Sequence, residues 1–485
     1  MQKVGNCEMD ESLRERFKAE VRAMRAWTYL GMTMTFGKVP LITEVLDYNS
    51  PNIPRDEVSV IRDFIMKELT EAAAILPEKY AGGYPNEKGR ITKYACLSLK
   101  ARAALYFGDY ALAESTAKEV MDKGGFSLFK ISSLSDAQKK DAEEMSLYID
   151  FAEKGIDKDE FVKGMFNYEA LWHTENANPD NPEYIMTRQY AASSWNYQDM
   201  TRYTSMRPNQ LGGWSSVTPT QNLVDAYWGV DGHSVPQLPT PEERAKAYNQ
   251  IKADLDAYQK PEGEAKFIAF CQEKIKNGTL KDYKYIQEFR NRDSRMYVSI
   301  LMPFKSWYES NYGDKFVYEW IKNGNNESKT GFNFRKMLSL ENDANGDGQA
   351  TGDYPCIRYA EILLIYAEAH TQTTGYDAAT EAALNQLRDR CGMPDVPSGL
   401  SKEEGLKLIQ NERRIELAGE GFRGDDMTRY SDDYWKEHMN NVPIMTPDGD
   451  TELTMKWSSR MRLKPIPQTA IDLNPLLAGD QNPGY

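Results

Sequence analysis

The chain has 485 residues, of which 40% are hydrophobic and 11% aromatic, so it can bury a large core. Its formal net charge of -14 argues against nucleic-acid binding, because phosphates are bound by a field of Lys and Arg side chains. No apolar run approaches the roughly 20 residues that a membrane-spanning helix requires, and the sequence therefore predicts one compact, solvated body.

The five cysteines are widely spaced and include no Cys-x-x-Cys pair: Cys7, Cys96, Cys271, Cys356 and Cys391. This pattern indicates neither a disulfide framework nor a zinc site. Buried thiols are the expected outcome.

The first third of the chain has helical periodicity. Apolar residues share one helical face in three successive stretches: Ile61, Phe64, Ile65, Leu69, Ala72 and Leu76; Tyr94, Leu97, Ala101, Ala104 and Leu105; Tyr110, Ala113, Ala117, Val120 and Met121. Gly108 suits a left-handed helix end and Asp109 suits a helix start, so the last two stretches are predicted to form a tight antiparallel pair. Residues 92–125 match the length of a tetratricopeptide repeat.

Residues 124–353 change to loops, short extended runs and aromatic residues, with one charged helical stretch at 241–289. Helical patterns return at residues 354–370 and again from Ala378 to about Gly392. A further helix is predicted from Ser401, whose spacing to Glu404 makes a capping box. The helical pairs from the two chain ends are expected to pack together, because such repeats cannot bury their apolar faces alone.

The tail is rich in proline, with Pro465, Pro467, Pro475 and Pro483. Each proline removes a backbone donor and pushes the residue before it toward extended geometry. An ordered, extended coil is predicted for the tail. In all, the patterns predict a mostly α fold.

The sequence lacks the parts of the common hydrolytic sites. None of its four histidines has His-Glu-x-x-His spacing, and no Gly-x-Ser-x-Gly segment accompanies them. With 73 acidic residues, an apparent pair of glycosidase carboxylates carries little information. Glu412, Glu416 and Glu420 share a helical face and are expected to form structural ion pairs.

Residues 193–216 have the composition of a sugar-binding surface, where flat aromatic rings stand beside polar side chains. The candidate ligand-binding residues are Trp195, Asn196, Tyr197, Tyr203 and Trp214, together with Tyr48 in the loop after Pro40. Trp307 and Tyr308 are weaker candidates. The alternative for Trp195 and Trp214 is a place in the core of a loop-rich lobe. By contrast, the aromatic residues of the helical parts are expected in the core: Trp27, Tyr29, Tyr94, Tyr106, Tyr359 and Tyr366.

One loop resembles the first half of an EF-hand calcium site, with Asp343, Asn345 and Asp347 as its oxygen ligands. Its second half departs from the pattern, because Tyr354 stands where a bidentate Glu is required. An ordinary surface turn rich in Asp, Asn and Gly is the alternative. No cofactor is required by the sequence, and structural Ca²⁺ is the only one it suggests.

Several ordered blocks resemble the SusD/RagB family of nutrient-capture lipoproteins. They are residues 19–44 with Gly37-Lys38-Val39-Pro40-Leu41, Pro219-Thr220 with 223–227, Arg292-Asp293-Ser294-Arg295, residues 358–369, residues 411–423 and the tail from Lys464 to Tyr485. The segment Gly424-Asp425-Asp426-Met427 departs from the resemblance, since the family has a more apolar run there.

The resemblance implies one SusD-like domain over residues 1–485. A tetratricopeptide-like scaffold would come from residues 16–125 and 354–485, and an irregular, loop-rich ligand-binding lobe from residues 126–353. It also implies non-catalytic capture of a glycan or oligosaccharide at the cell surface and delivery to a SusC-like TonB-dependent transporter in the outer membrane. Family members carry a lipid anchor, whereas Cys7 follows no signal-like run, so the chain is expected to be truncated at its N-terminus.

Three alternatives stay open on the sequence. The first is capture of peptides, as in the RagB branch of the family. The second is a tetratricopeptide adaptor that binds protein in its helical groove, and the third is a glycoside hydrolase.

Overall fold

The computed structural model describes residues 2–47, 50–81, 87–191, 213–260, 262, 265–309, 314–339 and 350–485, and within these ranges the chain is mostly helical. Its α-helices are α1 Glu11–Phe36, α2 Val58–Ile75, α3 Lys93–Tyr106, α4 Tyr110–Lys123, α5 Asp136–Ala142, α6 Phe151–Lys154, α7 Lys158–Ala170, α8 Gln221–Ala226, α9 Pro241–Ala257, α10 Lys266–Lys276, α11 Lys284–Gln287, α12 Ser294–Ser299, α13 Tyr359–Thr373, α14 Ala378–Arg390, α15 Lys402–Glu416, α16 Arg423–Arg429, α17 Asp432–Met439 and α18 Gln468–Leu473. The mostly α prediction is confirmed.

Short strands form antiparallel pairs. They are β1 Tyr184–Arg188, β2 Ile300–Leu301, β3 Ser306–Glu309, β4 Asp314–Val317, β5 Asn333–Phe334, β6 Tyr354–Arg358, β7 Val442–Met445 and β8 Thr451–Met455. β1 pairs with β6, β2 with β5, β3 with β4 and β7 with β8. Two of these pairs join distant parts of the chain and two are local hairpins.

Helices α1 to α4 pack on their neighbours in chain order, and the predicted turn between α3 and α4 is confirmed. Gly108 has a φ of 77°, which only glycine adopts without strain. The side chain of Asp109 accepts a hydrogen bond from the backbone N–H of Leu112 at 3.2 Å and so caps α4. Gly108 and Asp109 thus determine where α3 ends and α4 begins.

Helix α13 packs against α3 and α4 from the other end of the chain, and also against α14 and α15. The capping box of Ser401 and Glu404 is present at the start of α15, as predicted. The predicted helix over residues 354–370 begins five residues late, because Tyr354–Arg358 is strand β6. Pro355 disfavours helix in the residue before it, and the pairing with β1 fixes the extended conformation.

The middle of the chain contains more helix than its sequence pattern predicted. Helix α7 is buried from Phe161 to Ala170 except at Lys163, and because the buried residues surround most of the helix, it lacks the apolar stripe by which a surface helix is identified. The charged stretch at 241–289 is divided into α9, α10 and α11 rather than continuous.

The tail is ordered, but the prediction of an extended coil is wrong over Gln468–Leu473, which is helix α18. Pro467 stands immediately before this helix, where a missing N–H is tolerated, and the next proline is Pro475. The interval between the two prolines is therefore long enough for a short helix.

The largest cluster of buried apolar side chains contains residues from all three predicted parts of the chain, such as Leu69, Phe166 and Leu364. Tyr29, Tyr94, Tyr359 and Tyr366 belong to this core as predicted, while Trp27 and Tyr106 pack at its edge. Cys96, Cys271 and Cys391 are buried thiols, Cys356 is half-buried and Cys7 is exposed. None of the helices in the described ranges has the length and apolarity to cross a membrane.

Candidate functional site

The β1–β6 pair determines where two candidate segments leave the scaffold. The strands are antiparallel, and Arg188 at the end of β1 lies opposite Tyr354 at the start of β6. Residues 192–212 follow β1 and residues 340–349 precede β6, so both segments are attached at the same edge of this pair. Two hydrogen bonds extend the edge: Tyr190 N–H donates to Asp353 Oδ1 at 3.0 Å, and Asp353 N–H donates to the carbonyl of Ala177 at 2.7 Å.

Most of the sequence-predicted site residues lie outside the described ranges. These are Tyr48, Trp195, Asn196, Tyr197 and Tyr203 among the candidate ligand-binding residues, and Asp343, Asn345 and Asp347 of the calcium-like loop. Their roles stay predictions. What the structure adds is the attachment of the aromatic-rich segment and the calcium-like loop to one edge.

Trp214 is the described member of the candidate ligand-binding set, and it is 40% exposed. The residues on either side, Gly213 and Ser215, are buried. Ser215 has a φ of 47°, a left-handed conformation that turns the chain sharply and is uncommon for a residue with a side chain. The turn is anchored where Thr330 donates to the carbonyl of Pro219 at 2.6 Å. Trp214 thus lies at the protein surface at the end of the aromatic-rich segment.

Trp307 and Tyr308, the weaker candidates, are in the core. They are 1% and 8% exposed, because strand β3 packs on helix α5. The backbone N–H of Tyr308 donates to Asp141 at 2.9 Å, and the Arg335 guanidinium lies 5.8 Å from the Trp307 ring. A buried ring presents no face to a sugar, so the prediction that Trp307 and Tyr308 contact a ligand is wrong.

Asp353 is a buried carboxylate at the β1–β6 edge that the sequence interpretation missed. Burial raises its pKa to about 6, although the N–H of Tyr190 donates to the carboxylate and favours its charged form. The only feature of the sequence that could have identified Asp353 was its position between a loop and a strand. A carboxyl group that changes charge near pH 6 therefore stands beside both candidate segments.

Glu412, Glu416 and Glu420 form ion pairs, as predicted, in a network buried inside the molecule. Arg358 contacts Glu416 and Glu420 at 2.8 and 2.7 Å, and Arg295 contacts Glu412 at 2.6 Å. Burial alone would raise the pKa of Glu416, but the surrounding guanidinium groups hold it well below its usual range. These carboxylates are engaged with cations, so the described geometry assigns them a structural role.

Asp426, in the segment that departs from the family pattern, is part of a second buried group of charged side chains. Its carboxylate accepts hydrogen bonds from Arg413 at 2.7 Å and from Arg429 at 3.0 Å. The acidic residue at this place is therefore matched by charged partners in the core. Elsewhere in the described ranges, no group of three His, Cys, Asp or Glu side chains is placed to hold a metal ion.

Comparisons with known proteins agree on one family. The sequence model described as the SusD family matches residues 182–485. SusD-like protein P38 of Formosa agariphila is 22% identical over 428 residues, which make up 85% of this chain and 66% of that protein. The chain thus spans just under two thirds of the length of this relative.

Solved structures share the fold. The chain superposes on a SusD-like protein from Bacteroides fragilis NCTC 9343 with a TM-score of 0.70 and 25% identity, over 99% of this chain and 82% of the other. A SusD-like carbohydrate-binding protein from the same strain gives a TM-score of 0.65 at 22% identity, over 97% of this chain and 81% of the other. The helical-repeat, SusD-like architecture expected from the sequence is confirmed.

Proposed function

The chain belongs to the SusD family, and from this membership we propose that it captures a glycan or oligosaccharide without cleaving it. The observation that carries the proposal is the family match over residues 182–485, together with the likeness to a carbohydrate-binding protein along 97% of the chain. The matched region contains both sides of the β1–β6 edge.

The composition of the aromatic-rich segment and the surface position of Trp214 support sugar binding. A sugar ring has an apolar face that stacks on an aromatic ring and hydroxyl groups that bind polar side chains at its rim. Trp214 offers a 40% exposed indole, and the segment before it contains the predicted partners Trp195, Tyr197 and Tyr203. Several weak contacts of this kind permit rapid release, which a protein that passes its ligand on requires.

The place of action belongs to the same proposal. We place the protein at the outer face of an outer membrane, held there by a lipid anchor, beside a TonB-dependent transporter that takes up the captured glycan. Family membership supports this placement.

The test is a panel of starch, plant and mucin polysaccharides, with binding measured for the wild-type protein and for a Trp195→Ala, Trp214→Ala double variant. Tyr485→Ala is the matched control, because this aromatic residue is 48% exposed and lies in the tail, far along the chain from the aromatic-rich segment. Release of reducing sugar is assayed for every polysaccharide that binds.

We expect one class of polysaccharide to bind the wild-type protein. The double variant should lose at least tenfold in affinity, because stacking contributes roughly 1 kcal/mol or more per ring. The control should bind normally. Release of sugar would instead identify a hydrolase. Absence of binding to every glycan would overturn the proposal and favour peptide capture or the adaptor function, which a peptide array would then distinguish. Co-purification with a TonB-dependent transporter tests the delivery step.

A further inference from the structure

Two half-buried arginines lack the carboxylate partners that most arginines of the described ranges have. Arg414 lies near the end of α15, and Arg423 is the first residue of α16. Their neighbour Arg413 shows the usual arrangement, with a carboxylate oxygen of Asp426 at 2.7 Å. In the part of the chain that the structure describes, neither Arg414 nor Arg423 has a carboxylate oxygen within 4.0 Å. In a chain whose formal net charge is -14, this arginine pair is an exception.

Both guanidinium groups are held in place by uncharged partners. Nη2 of Arg414 donates to the carbonyl and to the side-chain oxygen of Asn222, at 2.8 and 2.5 Å. Nη1 of Arg423 donates to the hydroxyl of Tyr434 at 2.8 Å, and the guanidinium lies 5.2 Å from the centre of that ring. A ligand would therefore meet groups that are already ordered, which reduces the entropy lost on binding.

The other nitrogens of the arginine pair are free to bind a ligand. They are Nε and Nη1 of Arg414 and Nε and Nη2 of Arg423. None of these four atoms is fully buried, and none donates to a described residue. A planar guanidinium with free N–H groups matches the two oxygens of a carboxylate, or two oxygens of a sulfate ester.

The surrounding charges do not neutralise the arginine pair. Burial and the charge of Arg423 lower the pKa of Arg414 to about 10, so both guanidinium groups are charged at neutral pH. Burial, together with the same two charges, lowers the pKa of His438 on α17. The carboxylates that act on Arg414 and His438 are Asp225, which is already paired with another arginine, and the exposed Glu437. A bound anion would compensate for the remaining positive charge.

The arginine pair is connected to the aromatic-rich segment through α8. Asn222, which binds Arg414, is eight residues after the exposed Trp214. Eight residues span at most about 28 Å even when fully extended. The two features are therefore close enough for one glycan chain of several units to contact both.

We propose that Arg414 and Arg423 bind an acidic group, a carboxylate or a sulfate ester, on the captured glycan. The inference rests on the proposed function and adds to it the class of substrate, an anionic glycan. The negative net charge of the chain opposes non-specific binding of polyanions, so selection for acidic glycans depends on this pair.

The test compares acidic polysaccharides with their neutral forms. Binding to the full chain is measured for polygalacturonate and alginate, each beside its methyl ester, and for carrageenan beside its desulfated form. Poly-glutamate and inorganic sulfate are included to distinguish a glycan site from a general anion site.

The variants are Arg414→Gln, Arg423→Gln and the double variant. Arg423→Lys keeps the charge without the planar fork. Arg62→Gln is the matched control, because it removes the same charge from α2, where the Arg62 side chain is 44% exposed. Thermal unfolding confirms that each variant is folded, and the two single variants test the pair independently of each other.

We expect one acidic polysaccharide to bind the wild-type chain at least tenfold more tightly than its neutral form, with an affinity that falls as salt is added. Each Gln variant should weaken binding of the acidic form roughly tenfold, the value of a charge-assisted hydrogen bond, and leave binding of the neutral form unchanged. Arg423→Lys should weaken it less, and Arg62→Gln should bind normally.

The inference is overturned if the acidic and neutral forms bind equally well, or if the double variant keeps the preference for the acidic form. Poly-glutamate or sulfate that binds as tightly as every polysaccharide would also overturn it, because the site would then not select a glycan. In these cases the proposed function stands as long as some polysaccharide binds the wild-type chain. If no polysaccharide of either kind binds, the proposed function itself has failed.

Discussion

His370 links three helices of the scaffold through its two ring nitrogens. Nδ1 lies 2.7 Å from Glu114 on α4, and Nε2 lies 3.1 Å from Asp377, which caps α14. The imidazole is in the last turn of α13 and stacks on Tyr366 with ring centroids 5.5 Å apart. Burial lowers the pKa of His370, but the two carboxylates outweigh it, and the pKa is raised above its usual value. The same contacts lower the pKa of Glu114 and Asp377.

These shifts predict a pH-dependent contribution to stability. Because the pKa of His370 is raised in the folded state, the protonated imidazole stabilises the fold at pH values below its unfolded-state pKa of about 6.5. This contribution is lost as the pH rises through the folded-state pKa. We therefore expect His370→Gln to lower the free energy of unfolding more at pH 6 than at pH 8, by about 0.5–1 kcal/mol, as for partly exposed ion pairs. Urea unfolding of both proteins at the two pH values measures this difference.

His438 provides a control of opposite sign. Burial lowers its pKa, so the folded state favours the neutral imidazole and its stabilising effect is lost as pH falls. The effect of His438→Gln should therefore not grow toward pH 6. A pH-independent effect of His370→Gln would contradict the role given to its carboxylate partners.

At the scale of elements, what the sequence predicted correctly was local. Gly108, Asp109, Ser401 and Glu404 determine helix ends within a few residues of themselves, and each has the geometry that its residue type favours. The β1–β6 pair could not be predicted in this way, because it joins residues about 170 positions apart. No local pattern marks such pairing, and β6 was interpreted as part of the helix that follows it.

The turn at Gly108 allows a test in which two similar substitutions have opposite effects. A Cβ at Gly108 would meet no atom within 4 Å, so the effect of Gly108→Ala comes from its φ of 77° alone. We expect the free energy of unfolding to fall by about 1–2 kcal/mol. Gly31 is an exposed glycine inside α1 with equally open surroundings, and Gly31→Ala should raise the free energy of unfolding by about 0.5–1 kcal/mol. Denaturant unfolding measures both, and a stabilising effect of Gly108→Ala would refute the account of the turn.

At the scale of the whole molecule, charged residues account for much of what the sequence left unpredicted. Side chains such as Arg358, Arg390 and Glu416 are normally solvated, yet they are buried together here. Only the tertiary fold brings them within contact distance. The candidate ligand-binding residues stay a prediction: their composition indicated sugar binding, but the edge from which their segment leaves the scaffold depends on the long-range β1–β6 pair.

The tail closes the molecule by contacting the end of α1. Asn482 is 5% exposed and donates to the carbonyls of Phe36 at 3.0 Å and Lys464 at 2.7 Å. Arg55, whose side chain is also 5% exposed, donates to the Asn482 side chain at 3.1 Å and to the Asp480 carboxylate at 2.9 Å. Residues more than 400 positions apart are thereby held together, and the Asn482 side chain is bonded to Phe36, Lys464 and Arg55.

Replacing Asn482 by Leu keeps a similar volume and removes these hydrogen bonds. The carbonyls of Phe36 and Lys464 and the Arg55 guanidinium then each lose one hydrogen bond. Arg55 still donates to the Phe36 carbonyl at 3.3 Å, so the penalty of about 1–3 kcal/mol for a buried group without a partner applies at most to the Lys464 carbonyl. We expect residues 464–485 and the end of α1 to exchange their amide hydrogens at least roughly tenfold faster, while α13 in the core is unaffected. Hydrogen-exchange mass spectrometry measures this.

Asp472→Ala is the control, because this exposed carboxylate accepts only from Gln468 of its own helix among the described contacts. Equal exchange in the wild-type protein and Asn482→Leu would show that apolar packing, rather than this cluster of hydrogen bonds, holds the tail in place.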